Sequence, residues 1–186
     1  MTSGSWLVLI DLQRIFGEPG SAWFTPRFAD AEAGAVRLRQ LFPGRTALTR
    51  FVAPETPEGA WVPYYEQWPF ALDPGNAALY DLVPALPPDD AVVISRPTFG
   101  KWDAATRAAL GDTRDIVLAG VSTDCCVLST ALAAADDGVR VRVVADACAG
   151  LSAADHQRAL DTMALYAPLI EITTIEEILA ERGLAR

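Results

Sequence analysis

Six short apolar runs recur along the chain: Trp6–Ile10, Thr46–Thr49, Ala91–Ser95, Ile116–Ala119, Val139–Ala145 and Leu169–Thr173. Most are rich in Val, Ile or Leu and lack the polar alternation of a half-exposed strand. They read as strands buried on both faces. Between them lie helical patterns at Arg27–Leu41, Ala104–Leu110, Cys126–Asp137, Ala153–Tyr166 and Glu176–Glu181. Gly138 follows one of these directly, a C-cap signal, and Ser152 precedes another as an N-cap. Strands covered on both faces need a layer of helices on each side, and strand–helix–strand units cross over with one hand. The alternation therefore predicts an α/β domain around a mostly parallel sheet.

At 186 residues the chain has length for one domain with a sizeable core, and no repeat or linker divides residues 1–186. Phe51 to Pro88 breaks the rhythm. It concentrates prolines and the aromatics Trp61, Tyr64, Tyr65, Trp68 and Phe70, and a long irregular connection of this kind reads as a functional loop or lid. The residues are 51% apolar, which excludes disorder, and the net charge of −9 disfavours nucleic acid and anionic membrane surfaces. No apolar run approaches the roughly 18 residues that span a bilayer, and no basic segment leads an apolar one at the start. Three cysteines, two of them adjacent, do not make a disulfide framework. These features predict a cytoplasmic protein whose partner is a small molecule rather than nucleic acid or membrane.

In an open parallel sheet, ligands bind beyond the carboxyl ends of the strands. Asp11 closes the first run, Arg96 follows the third with Lys101 five residues on, and Cys126 follows the fourth. A carboxylate, a cation and a thiol on one rim make an acid/base group, a charge partner and a nucleophile. Cys126 lies in Gly120-Val121-Ser122-Thr123-Asp124-Cys125-Cys126-Val127, where a strand turns into a helix. Unpaired N–H groups and the helix dipole there favour a thiolate. Lys101 is the single lysine among fifteen basic residues, and an ammonium does what a guanidinium cannot. Blander readings stand beside these. Cys126 fits a structural thiol and Asp11 a turn former. Cys125 and Cys148 fit packing, and His156 a helix surface. Asp124 fits a helix cap and Asp146 a backbone acceptor. The aromatics Trp61, Tyr64, Trp68, Phe99 and Trp102 fit either ordinary core or the walls of an apolar substrate pocket.

The Leu9-Ile10-Asp11-Leu12-Gln13 start and the Gly120–Val127 stretch resemble the isochorismatase-like cysteine hydrolases, which include nicotinamidases, pyrazinamidases, carbamoylamide hydrolases and isochorismatases. Ser129-Thr130-Ala131 and Asp146-Ala147-Cys148 are similar to the family too, and the likeness runs from about Leu7 to Thr173. It implies a three-layer, doubly wound, six-stranded parallel sheet with helices on both faces, and a dimer or tetramer. It selects Cys126 over Cys125 as nucleophile and makes Asp11 catalytic. It implies a cis Val121–Ser122 peptide that turns Ser122 N–H, with Cys126 N–H, toward an oxyanion hole.

Two departures from the family pattern matter. Arg96 occupies the slot of the family's lysine in Arg96-Pro97-Thr98-Phe99-Gly100-Lys101-Trp102, and Lys101 stands where the family has a small residue. Either residue fills the cationic role, and Lys101 is favoured as the sole lysine. Nicotinamidase-type members bind a metal through an aspartate and histidines after the second strand. Here that stretch reads Thr49-Arg50-Phe51-Val52-Ala53-Pro54, and one histidine cannot build a histidine-rich site. No metal and no cofactor are expected. The resulting expectation is a metal-independent cysteine hydrolase that cleaves a small amide or related C–N bond through an acyl-thioester on Cys126. The alternatives are a vinyl-ether hydrolase of the isochorismatase type, which needs the aspartate but no thiol, a non-catalytic small-molecule binder on the same fold, and a redox sensor using Cys125 and Cys126.

Overall fold

The structure, a computed structural model, describes residues 4–184. The six apolar runs become β1 (Trp6–Ile10), β2 (Thr46–Phe51), β3 (Val92–Arg96), β4 (Asp115–Val121), β5 (Arg140–Ala149) and β6 (Ile170–Thr173). All pair in parallel in the order β3-β2-β1-β4-β5-β6. The strand order reverses between β1 and β4, the doubly wound arrangement in which ligands collect at the switch. The central strands are solvent-free because their side chains are apolar on both faces: Leu7, Leu9, Ile10, Ile116, Leu118 and Val143 are all fully buried. β3 lies at the edge and leaves Val93 exposed.

The helices flanking this sheet are α1 (Arg14–Gly17), α2 (Phe28–Arg39), α3 (Trp61–Gln67), α4 (Ala104–Ala109), α5 (Leu128–Asp136), α6 (Ala153–Ala164) and α7 (Ile175–Glu181). Polar caps set several starts. Asp103, Ser152 and Thr174 each accept a backbone N–H from the first turn, and Thr174 with Glu177 completes a capping box. Among the described residues no helix is long and apolar enough to cross a membrane.

Gly120 shows how tightly β1 and β4 meet. It has φ of 121° and pairs with Ile10, and a Cβ there would lie 2.2 Å from the Ile10 carbonyl oxygen. Only glycine fits a backbone approach of this kind.

Three stretches differ from expectation. The Cys126–Asp137 helix is divided: a π-helical turn covers Thr123–Val127, and α5 starts after it. β5 runs past Ala145 to Ala149, because Cys148 and Ala149 resume pairing with Gly120 and Val121 after a register shift. Phe51 to Pro88 is not irregular throughout. It carries α3 and two 3-10 segments, Pro69–Leu72 and Pro74–Tyr80, each with proline at its start. These short helices pack into a second apolar cluster with Ile15, Trp23, Phe51, Tyr65, Ala71 and Tyr80. Gln13 pins the cluster to the sheet. Its Nε2 donates to the carbonyls of Phe51 (2.9 Å) and Tyr80 (2.7 Å), and its Oε1 accepts from Phe51 N–H (2.8 Å).

Candidate active site

Asp11 is the first residue beyond β1 and takes a left-handed backbone (φ 50°), a conformation that aspartate tolerates better than most residues. Its carboxylate is wholly buried. The Thr49 hydroxyl, near the end of β2, accepts from Asp11 N–H (3.1 Å) and donates to Asp11 Oδ1 (2.6 Å). Asp11 Oδ2 faces Lys101 Nζ at 2.8 Å, and both side chains are 0% exposed. The ammonium aims hydrogen bonds at the carbonyls of Thr98 (2.6 Å) and Phe99 (2.9 Å). Asp11 Oδ2 therefore feels the charge of Lys101 at close range without a well-aligned hydrogen bond, and keeps a lone pair open. The face of Phe51 covers the ammonium at 5.4 Å, which favours a cation in a dry site.

Cys126 reaches the same place from the π-helical turn. That turn follows Val121–Ser122, whose peptide bond is cis. Lys101 and Cys126 are also tied through the backbone: Lys101 N–H donates to Thr130 Oγ1 (3.0 Å), and Thr130 Oγ1 donates to the Cys126 carbonyl (2.6 Å). The thiol differs from the expected thiolate. Burial first, then the Asp11 carboxylate by its charge and as an acceptor for the thiol proton, pushes the Cys126 pKa well above the ordinary range, and Lys101 only partly opposes them. With the π-helical turn inserted, Cys126 does not stand at the open end of α5. The resting pair is a neutral thiol beside a carboxylate.

A cavity of about 250 Å³ opens at Cys126, and Asp11 and Lys101 do not line it. Its lining includes Ser122, Cys125 and Cys126 together with Phe16, Trp23, Thr25, Phe51, Tyr64, Trp68, Phe99 and Leu151. Of the aromatics expected to form the pocket, Tyr64, Trp68 and Phe99 do line it. Trp61 stands behind them, packed on Tyr64 (5.2 Å) and Phe99 (5.1 Å). Trp102 does not line it: its side chain is buried elsewhere and its Nε1 donates to Asp137 (3.0 Å). Arg96 is turned from Asp11 as well, held by both oxygens of Asp103 (2.7 and 3.0 Å).

Neighbouring polar residues also fall differently. Asp124 does not cap a helix. Its Oδ1 accepts from Ser122 Oγ (3.0 Å) and Leu151 N–H (3.0 Å), bracing the loop after β5 against the turn. His156 is half-buried rather than free on a helix surface, and its Nδ1 lies 2.8 Å from Thr123 Oγ1. Burial and Arg27 hold its pKa below the usual histidine value, against Asp124. Asp146 Oδ1 accepts from Ile175 N–H (2.9 Å) at the start of α7, and Cys148 is buried, its thiol pushed up to about 12 by burial.

Sequence reasoning missed Thr49, Phe51, Trp23 and Thr25. Thr49 had a signal, being a polar residue directly after Ala47-Leu48 in a buried strand next to the one that leads into Asp11. Trp23 and Thr25 sit in a loop without periodicity and had none. After β2 the chain offers Val52, Ala53 and Pro54, none of them a metal ligand. Among the described residues no three His, Cys, Asp or Glu side chains converge as a metal site. The donor set does not fit a metal, and no step below passes through one.

Residues 5–177 match the model of the isochorismatase domain. Isochorismatase domain-containing protein 2 of Xenopus laevis is 38% identical over 101 residues, a match covering 53% of this chain and 46% of that protein, so the chain spans about half the relative's length. The crystal structure of a cysteine hydrolase from Pseudomonas syringae pv. phaseolicola 1448A superposes with a TM-score of 0.84 at 20% identity, covering 98% of this chain and 94% of that one. The pyrazinamidase of Pyrococcus horikoshii, in complex with zinc, superposes with a TM-score of 0.74 at 25% identity, covering 92% and 99%. With the doubly wound sheet and a family match over nearly its whole length, the chain belongs to the isochorismatase domain family of hydrolases.

Proposed function

We propose that the protein is a metal-independent cysteine hydrolase of small amides or related C–N bonds. The observation that carries this reading is Cys126 in the wall of a cavity sized for a small molecule, with the buried Asp11–Lys101 pair near enough to act on its thiol. The likeness to a pyrazinamidase adds to it. As the sulfur attacks the carbonyl carbon, Asp11 Oδ2 takes the thiol proton. Moving the proton with the attack avoids a free thiolate, which burial disfavours. The oxyanion is received by the backbone N–H groups of Ser122 and Cys126, and losing one such donor costs about 2.7–4 kcal/mol of transition-state stabilisation. Protonated Asp11 gives its proton to the departing nitrogen, the C–N bond breaks, and the acyl group remains on sulfur. Water then attacks the thioester with Asp11 again as base, which releases a carboxylic acid and restores the thiol. Lys101 holds the Asp11 side chain in place by its charge.

The test is a panel of small primary amides and carbamoyl compounds, read by ammonia release and by intact protein mass. Turnover accompanied by an acyl adduct that maps to Cys126 is the expected result. Cys126→Ala should lower kcat by about 10⁴-fold or more. A Cys126→Ala protein with full turnover would rule out the thioester route and leave chemistry that needs the carboxylate alone.

A further inference from the structure

Lys101 is buried in the connection between β3 and α4, outside any helix or strand. Its backbone N–H and C=O have no ladder or helix partner and must bond elsewhere. Two buried threonine hydroxyls supply the bonds. Thr130 Oγ1, on α5, accepts from Lys101 N–H (3.0 Å), and Thr106 Oγ1, on α4, donates to the Lys101 carbonyl (2.8 Å). Thr130 makes a second bond. Its hydroxyl proton goes to the Cys126 carbonyl one turn back (2.6 Å), a contact that helical threonine makes readily. With the proton committed there, the oxygen is left to accept from Lys101, 29 residues away in sequence.

This hydroxyl is not needed to fill space. The rest of the buried face of α5 is alanine, at 131, 134 and 135. Threonine is a poorer helix former than alanine, and a hydroxyl buried without a partner is costly. Valine would occupy the same volume without that requirement. Valine could not hold the Lys101 backbone against the turn that carries Cys126. From the backbone so held, the side chain runs to Asp11, where the ammonium lies 2.8 Å from Oδ2 and bonds to the carbonyls of Thr98 and Phe99. Its charge opposes the rise in the Cys126 pKa, so its distance from the sulfur matters. Thr130 itself is 0% exposed and can touch no substrate.

We infer that Thr130 is a positioning residue: its one hydroxyl joins the Lys101 connection to the nucleophile turn and sets the spacing of ammonium and thiol. Its part in hydrolysis rests on the amidase reading above; the spacing itself does not.

The experiment follows alkylation of Cys126 by iodoacetamide at pH 8, read by intact mass in a Cys125→Ser background. Thr130→Val should slow it about tenfold, because a cation free to drift leaves less thiolate. Thr130→Ser keeps the hydroxyl and should stay within about threefold of the parent. In a Lys101→Met protein, adding Thr130→Val should slow the reaction by less than about twofold, since the ammonium through which Thr130 acts is gone. Thr46→Val is the comparison for simple loosening. It removes another buried hydroxyl, bonded to the Phe42 carbonyl at the far end of β2, and should leave the rate within about twofold. Where valine at 130 prevents folding, Thr130→Ala takes its place; if neither folds, the hydroxyl is structural and the inference fails. Unchanged alkylation in Thr130→Val, equal slowing in Thr46→Val, or a full effect without the Lys101 ammonium would each overturn it. Any amide that proves to be a substrate should lose roughly 10- to 100-fold in kcat in Thr130→Val. The two readings fail separately. Alkylation that follows the hydroxyl in a protein that hydrolyses no amide leaves the positioning role standing and removes the amidase. Amide turnover and alkylation that Thr130→Val both leaves unchanged do the reverse.

Discussion

Asp11 divides the work of its two carboxylate oxygens. Oδ1 is fixed by the Thr49 hydroxyl, which sets the plane of the carboxylate, while Oδ2 has the Lys101 charge opposite it and no well-aligned hydrogen bond among the described residues. Lys101→Met should therefore do two things. It should lower kcat by about 100-fold or more, and it should cost about 3 kcal/mol of stability in denaturant titration, because it strands a buried carboxylate without its ion-pair partner. Arg96→Ala, by contrast, breaks a bridge to Asp103 at the surface and should leave kcat within about twofold. Turnover that fails in the second variant and survives in the first would reassign the cation. The raised Cys126 pKa makes another expectation. A group whose pKa lies well above the ordinary thiol range is protonated at neutral pH and ionises only as pH climbs. Alkylation of Cys126 by iodoacetamide in a Cys125→Ser background should therefore accelerate about tenfold per pH unit from 7 to 9, with no plateau. A plateau near pH 7, read by intact mass, would mean a stabilised thiolate after all. At this scale the sequence was legible where chemistry-bearing residues sit at strand ends. Asp11, Lys101 and Cys126 announce themselves by type and position, and the fold places them together. Trp102 follows Lys101 directly, yet it points into different packing, since adjacency in a loop says nothing about facing. The division of labour between Arg96 and Lys101 depended on which neighbour, Asp103 or Asp11, each side chain meets.

The elements that carry these residues are held by contacts their own sequences do not advertise. The π-helical turn at Thr123–Val127 widens the first turn after β4, a local feature common at functional sites and invisible to a 3.6-residue periodicity. The helices of residues 61–80 are similar: α3 contains Pro63 and is only two turns long. Such segments are too short to hold by propensity, and packing among Trp23, Phe51, Tyr64, Tyr65 and Trp68 stabilises them instead. That is why a composition rich in proline and aromatics was read as a loop. Gly120 is the element-scale test. Its Cβ-free backbone lets β4 approach β1 where Asp11 and Cys126 emerge, so Gly120→Ala should destabilise by about 3 kcal/mol or more, measured by chemical denaturation, or prevent folding altogether. A Gly120→Ala protein of unchanged Tm and kcat would show that this approach is not tight.

For the molecule as a whole, the alternation of apolar runs and helical patterns was enough for an α/β sheet and for the locations of all six strands. Strand order was not in that pattern; the resemblance implied a doubly wound six-stranded parallel sheet, and the order β3-β2-β1-β4-β5-β6 is supplied by the structure. The same family frame makes the metal question concrete. With one histidine and no converging donor set among the described residues, we expect turnover to stay within about twofold after dialysis against EDTA, and purified protein to carry no stoichiometric zinc by elemental analysis. Loss of activity that zinc restores would point to donors supplied from elsewhere.

The pairing of Ile10 with Gly120 has a kinetic corollary. The two strands that present carboxylate and thiol lie far apart along the chain, and the intervening segment contributes β2 and β3 to one side of them only. Each half of the sheet can gather locally, but Asp11 and Cys126 meet only when the two halves zip together along this central seam. Loops that long close late and slowly. Recovery of enzymatic competence during refolding should thus trail the return of helical circular dichroism, making the chemistry itself a clock for the final act of assembly.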